Sequence, residues 1–362
     1  MEDLIYWLWL NSIYGIGPKR ILTLLELFGT PKKIWEASEK ELKDVDGIGE
    51  KISRTIVESK KDFNPNKQIE WILENQIEVI TILDEKYPKN LKNIYDPPPV
   101  LFVKGNIKCL DGLNLSIVGS RKATNYGLKV AREFAYELSK RGFVIVSGMA
   151  EGIDTSAHVG AIEAGGKTIA VLGCGIDLIY PAANKKLKGD IVKNGAVISE
   201  FPLGTKPIPQ NFPYRNRIIS GLSNGVLVVE AGKKSGSLIT AQMALEQGRD
   251  VFAIPGSIYS KNSEGTHWLI KEGAKLTTCI DDILEEIGFN DVKFDTSFKE
   301  ENIPILDIFE EKIYREIHED PVNIEELIYK TGMSIKDLNY YLCMLEFKGL
   351  IKSLPGKNYI RR

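Results

Sequence analysis

Leu115-Ser116-Ile117-Val118-Gly119-Ser120-Arg121 is a short β-branched run that breaks at a glycine, and an amphipathic stretch, Gly127–Arg141, follows it. The cycle then repeats. Val144–Val146 leads into Gly148-Met149-Ala150-Glu151-Gly152 and a second helical pattern over Thr155–Ala164, and Thr168–Leu172 leads into Gly173-Cys174-Gly175. Strand, glycine loop, helix, strand describes a βαβ succession, in which parallel strands are joined by helical crossovers. Outward from this centre, Val79–Leu83 and Val100–Val103 precede it as strands. Ala196–Ile198, Gly225–Val229, Val251–Ile254 and Lys275–Thr277 follow, with a helix over Leu238–Gln247. The expected fold class is α/β: an extended Rossmann-like, doubly wound, mostly parallel sheet over residues 63–288. In such a sheet the loops at the carboxyl ends of the strands line one edge and form the binding crevice.

Both flanks read as helical. Within residues 1–62 the pattern Tyr14-Gly15-Ile16-Gly17-Pro18-Lys19 returns as Asp46-Gly47-Ile48-Gly49-Glu50-Lys51, each time ahead of helix-like sequence. Glycine, apolar residue, glycine between two helices permits a tight hairpin with free N–H groups at the next helix start, as in paired helix-hairpin-helix (SAM-like) motifs. Two readings stand side by side: sequence-independent DNA contact, or a helical docking module, since Asp46 and Glu50 beside the second turn would repel phosphate. Residues 289–304 are polar and aperiodic and read as a linker. In residues 305–362, Leu306–His318, Ile324–Tyr329 and Ile335–Phe347 predict three helices with Asn323 and Ser334 as N-caps and Gly349 as the stop. A two-stranded wing over Leu350–Tyr359 completes a winged-helix domain. Its third helix sets Lys336 and Lys348 against Asp337 and Glu346, without the positive excess of a duplex-reading helix.

With 47 Lys and Arg against 49 Asp and Glu, no global field draws polyanions, so a nucleic-acid site has to be a local basic patch. Cys109, Cys174, Cys279 and Cys343 form no CxxC pair, which excludes a zinc cluster or disulfide framework and fits a reducing cytoplasm. The apolar run Leu4–Leu10 is far shorter than the ~20 residues of a membrane span and reads as the core face of a first helix.

Several catalytic patterns fail on context. Gly221-Leu222-Ser223-Asn224-Gly225 matches GxSxG, yet a helix precedes the serine and a strand follows it, the reverse of a nucleophile elbow. Gly166-Lys167-Thr168 lacks the first glycine of a P-loop, and Leu178 stands where GxGxxG needs its third glycine. No cofactor is expected. Asp154 and His158 sit i,i+4 on one helix, which suits an acid/base pair or metal ligands. The favoured reading is that Asp154 caps its helix and His158 bonds locally.

Phe212-Pro213-Tyr214-Arg215-Asn216-Arg217 interleaves aromatic rings with guanidinium groups. Such groups hold phosphates bidentately while the rings accept unstacked bases, a combination suited to a single strand. The alternative is a structural arginine pair clamping carboxylates. Ser120, Arg121 and Lys122 lie at a strand-to-helix turn, and Gly236 and Ser237 begin a helix on what should be the same edge, so backbone N–H groups and cations converge there. Lys185 and Lys206 extend the patch.

Taken with Tyr180-Pro181-Ala182-Ala183-Asn184, Arg215-Asn216-Arg217-Ile218-Ile219, Ser235-Gly236-Ser237-Leu238-Ile239-Thr240-Ala241 and Asp250-Val251-Phe252-Ala253-Ile254-Pro255-Gly256, these motifs resemble the DNA processing protein A (DprA, also called Smf) family over residues 77–285. The resemblance implies a non-enzymatic, cytoplasmic protein of natural transformation and competence. It would bind and protect incoming single-stranded DNA, load the RecA recombinase onto it for homologous recombination, and form a homodimer through its Rossmann domains without touching a membrane. It also implies DNA contacts at Arg121, Arg215 and Arg217, with Lys185 and Lys206 behind them. The competing class, a nucleotide phosphoribohydrolase-like Rossmann enzyme, places a glutamate where this chain has Ile239.

Overall fold

Nine apolar runs pair into one sheet in a computed structural model of the chain, which describes residues 2–61, 63–288, 306, 308–318 and 320–361. The strands are Glu78–Thr81 (β1), Val100–Gly105 (β2), Asn114–Val118 (β3), Val144–Ser147 (β4), Thr168–Val171 (β5), Ala196–Ser199 (β6), Gly225–Val228 (β7), Asp250–Ala253 (β8) and Lys275–Leu276 (β9). Their order is β1-β2-β6-β5-β4-β3-β7-β8-β9. From β6 to β9 every pairing is parallel, and β2 joins β6 antiparallel. The chain winds outward from β3 in both directions, so the order reverses between β3 and β7. That reversal is where a doubly wound sheet opens a crevice.

Strands β3 to β7 are buried along their whole length, which explains their largely apolar sequence. Leu115, Ile117, Ile145, Leu227 and Phe252 face one core with Ala131, Ala135 and Ala157 of helices Asn125–Lys140 and Ile153–Glu163. Val118, Val146, Val226 and Val228 face the other, with Ile218, Ile219 and Leu222 of helix Asn211–Leu222 and Ala241 and Ala244 of helix Gly236–Glu246. This alternation is the period-2 pattern of the strands made spatial.

The chain divides into two compact units, residues 1–292 and 293–362. In the first, helices Glu2–Ser12, Pro18–Phe28 and Glu50–Ser59 share a hydrophobic core with the sheet. Gly15 and Gly47 take φ of 82° and 74° in the two hairpins, a conformation that favours glycine. Arg20 donates to the carbonyls of both Gly15 and Gly47 at 3.3 Å, tying one hairpin to the other. Asn11 donates to Glu200 O at 3.0 Å, and Lys19 donates to the Tyr95 hydroxyl, so the helical region is anchored to the sheet.

In the second unit strand Val322–Asn323 (β10) lies between helices Ile308–Glu316 and Ile324–Thr331, and after helix Ile335–Phe347 come Ile351–Leu354 (β11) and Asn358–Arg361 (β12), the small sheet being ordered β10-β12-β11. Asn323 and Ser334 accept from the backbone N–H of Glu325 and Asp337, the expected N-caps. The expected linker, 289–304, lies outside the described residues. Among the described residues no helix is long and apolar enough to cross a membrane.

Candidate nucleic-acid interface

The crevice at the β3/β7 reversal has a volume of about 530 Å³ and is lined by Ser120, Arg121 and Lys122 after β3, Phe212, Arg215 and Asn216 on one helix, and Lys234, Gly236 and Ser237 after β7. A smaller cavity of about 90 Å³ adjoins it, sharing Arg121, Ala150, Phe212 and Arg215 and adding Gly173, Cys174 and Tyr180. The predicted residues Ser120, Arg121, Lys122, Phe212, Arg215, Asn216, Gly236 and Ser237 thus converge on one edge. Lys185 and Lys206 are exposed but line neither cavity.

Glu230, just past β7, sets the Ser120–Lys122 turn. Its carboxylate accepts from Thr124 N at 2.9 Å and Thr124 Oγ1 at 2.5 Å, and its carbonyl accepts from Ser120 N at 2.8 Å. Held from below in this way, the turn leaves Arg121 and Lys122 exposed. The Arg121 guanidinium lies 5.2 Å over the Phe212 ring, and the Tyr180 ring packs 5.5 Å from Phe212 at an angle of 35°. A Cβ on Gly173 would meet the Phe212 ring at 2.8 Å, so only glycine lets this ring settle against the sheet edge.

Arg215 is the floor. It is 4% exposed, and it donates to Gly148 O at 2.9 Å, to Val171 O and to Asn216 Oδ1 at 3.2 Å. Burial pulls its guanidinium down to about 10, against the attraction of Asp154. A Cβ on Gly148 would meet Arg215 Nη2 at 2.6 Å and Asp154 Oδ2 at 2.8 Å, which fixes that loop position as glycine. Helix Gly236–Glu246 directs its amino end at the same space. Ser235 caps it, and Asn216 Nδ2 donates to Gly236 O at 3.2 Å.

Arg217 corrects the sequence reading. Its guanidinium is 2% exposed and donates to Glu200 Oε1 and Oε2 at 2.7 and 2.6 Å and to Asp96 Oδ2 at 3.0 Å, beneath the Tyr214 ring at 4.1 Å. Arg215 and Arg217 lie on a helix, where residues two apart point in nearly opposite directions. One therefore faces the crevice and the other clamps carboxylates. For Arg217 the alternative of a structural clamp on carboxylates is what the structure shows.

The Asp154–His158 pair does not form. Asp154 accepts from Gly148 N at 3.2 Å and Ala150 N at 3.3 Å, so it ties the β4 loop, and Gly152, not Asp154, is the N-cap. His158 Nδ1 lies 2.6 Å from Thr168 Oγ1, and burial pushes its pKa down to about 3. Below the usual 6.5 the unfolded chain takes up a proton that the folded chain refuses, so His158 lowers stability as pH falls from about 6.5 toward 3, by at most about 1.4 kcal/mol per pH unit. Urea titrations of the wild type and His158→Gln should show that slope flattened in the variant over this window; equal slopes contradict the assignment.

Neither Ser223 nor Cys174 is set up as a nucleophile. Ser223 of the GxSxG match is buried, 2.7 Å from Ser116 Oγ, and donates to Ile219 O at 3.1 Å. Burial raises the Cys174 thiol, the opposite of what a nucleophile requires. No group of three or more His, Cys, Asp or Glu fit to hold a metal exists among the described residues. What remains is an exposed cation over an aromatic face beside a helix amino end. Glu230 and Asp154, which shape these loops, were missed as organisers. The carboxylate just past a strand, within Val229-Glu230-Ala231, was the available signal for Glu230.

Residues 78–288 match the model of the DNA recombination-mediator protein A family, 9–62 a SAM-like helix-hairpin-helix tandem, and 299–357 the DprA winged helix domain. Protein Smf of Synechocystis is 35% identical over 99% of this chain and 98% of its own. The X-ray structure of DNA processing protein A from Streptococcus pneumoniae superposes with a TM-score of 0.71 at 41% identity, covering 78% of this chain and 97% of that one. A Helicobacter pylori DNA processing protein A structure, described for its single-stranded DNA binding mode, gives 0.54 at 34% identity over 59% and 95%. With the family model spanning the whole sheet and the accessory domains matched on either side, the chain belongs to the DNA recombination-mediator protein A (DprA/Smf) family.

Proposed function

We propose that this chain binds single-stranded DNA, without chemistry, in the crevice between β3 and β7. The observation that carries the reading is Arg121, an exposed cation stacked on a half-buried phenylalanine at the junction of two cavities. A phosphate meets Arg121, Lys122 and the amino end of helix Gly236–Glu246, and an unpaired base meets the rings of Phe212 and Tyr180. A duplex offers no free base face to those rings. Neutralising about three phosphates gives a slope near −2 in log affinity against log salt. Fluorescence anisotropy with single and double strands of one length checks both expectations, and equal affinity for the two or salt-independent binding contradicts the reading.

In the same reading the protein works in the cytoplasm, protecting DNA that enters during natural transformation and loading the RecA recombinase onto it. Family membership supports this, as does the single-stranded DNA binding named for the Helicobacter pylori relative. A homodimer is part of the reading. Supporting it is an apolar surface groove of about 790 Å³ between helices Gly236–Glu246 and Glu264–Lys271, where Ile239 and Trp268 lie 40% and 46% exposed.

A chain ending at residue 292 keeps most single-strand affinity, because the winged-helix unit lacks a cationic reading helix: Ile335, Lys336, Asp337, Tyr340 and Glu346 are its exposed residues beside Asn339 and Cys343. Anisotropy on the truncated and full chains decides it, and loss of most affinity would move the principal site to that unit.

A further inference from the structure

The loop after β8 ends in a turn with an unusual composition. Ser260 N donates to Ser257 O at 3.0 Å, closing a β-turn whose two central residues are Ile258 and Tyr259. Central turn positions favour Pro, Gly, Asn or Asp. Here they carry an isoleucine 79% exposed and a tyrosine 91% exposed.

The turn is also firmly held. Ser257 Oγ accepts from Tyr259 N at 3.3 Å, Ser260 Oγ accepts from Asn262 N at 3.3 Å, and the Tyr126 hydroxyl donates to Pro255 O at 2.9 Å. At its base Asn262, a crevice residue, donates to Lys122 O at 2.8 Å, and its own carbonyl accepts from Ala231 N at 2.7 Å. The tip therefore rises from the crevice wall at a fixed position. Around its base stand exposed Lys122, Lys233, Lys234 and Lys261; Glu264 pairs with Lys233 at 3.9 Å, and the Glu230 carboxylate accepts from Asn262 Nδ2 at 3.4 Å.

Two exposed apolar side chains on a rigid turn among lysines suit a polyanion with flat apolar faces. We propose that Ile258 and Tyr259 form a second stacking platform, which holds a base of the same single strand after it leaves the crevice on the β8 side. This rests on the crevice reading above. Tyrosine supplies the π face, the isoleucine packs its edge, and the lysines track the connecting phosphates.

The test uses the full chain, oligo-dT of about four and about twenty nucleotides, and salt-controlled binding isotherms. Replacing both Ile258→Ser and Tyr259→Ser, turn-compatible changes at exposed positions, is expected to weaken binding of the long strand about fivefold or more and leave the short strand unchanged. Tyr259→Trp is expected to retain or raise long-strand affinity. Unchanged long-strand affinity in the double variant overturns the proposal and points to an apolar protein partner for the tip. Equal losses on both strands also overturn it. Arg121→Ala in the same titration separates the two readings. If it weakens binding while the double variant does not, only the platform fails; if it leaves binding intact, the crevice reading fails and the platform with it.

Discussion

Arg121→Ala should weaken single-strand binding on the order of tenfold or more while leaving the fold intact. The guanidinium is exposed, so its removal leaves no buried group unpartnered, and its interaction is the 5.2 Å stack on Phe212. On the strand it supplies a charge-assisted bond to phosphate of about 1.5–3 kcal/mol, roughly one to two decades of affinity. Arg121→Lys keeps the charge but loses the planar fork, so recovery is partial. Melting curves and isotherms on the same preparations read both quantities. Unchanged affinity in a folded Arg121→Ala protein would remove the crevice as the site.

Arg217→Ala should do the reverse. It strands Glu200, itself 7% exposed, and takes a partner from Asp96, so two carboxylates lose their common cation. Breaking a buried ion pair by removing one partner costs about 3–5 kcal/mol, a large part of the stability of an ordinary domain. The expected result is a much lower urea midpoint, with single-strand affinity of the folded fraction retained. Arg217→Lys should recover little, because a point charge cannot reproduce the two-oxygen grip on Glu200 and the bond to Asp96 together. A binding defect at unchanged stability would return Arg217 to the DNA and contradict the structure.

The two arginines show what the sequence held and what it hid. The central strands were legible because a strand buried on both faces is largely apolar and glycine loops follow β3, β4 and β5, whereas β1 and β9 at the sheet edges are only partly buried. The edge was legible too, since parallel strands bring their carboxyl-end loops together whatever the side chains do. Which way each guanidinium points was not. That depended on Phe212 through Arg217 lying on a helix, where a period of 3.6 residues separates neighbours that an extended segment would have aligned every second residue. Glu200 and Asp96 lie far from Arg217 in sequence, so nothing local marked them as its partners. Glu230 carried a local mark, a carboxylate just past a strand, but its partner Thr124 lies across the β3/β7 reversal and far away in sequence. The helix caps of the winged-helix unit, by contrast, are local devices, and Asn323 and Ser334 were readable without any tertiary information.

A single strand seated in the proposed crevice would set a base against Phe212. Photocrosslinking the full chain to an oligonucleotide carrying 5-iodouracil, followed by peptide mapping, tests it most directly. Adducts are expected on the peptide containing Phe212 or on that containing Tyr180, lost in Phe212→Ala and diminished in Arg121→Ala. Adducts confined to the helical residues 1–62 or to the winged-helix unit, with none in the sheet domain, would contradict it.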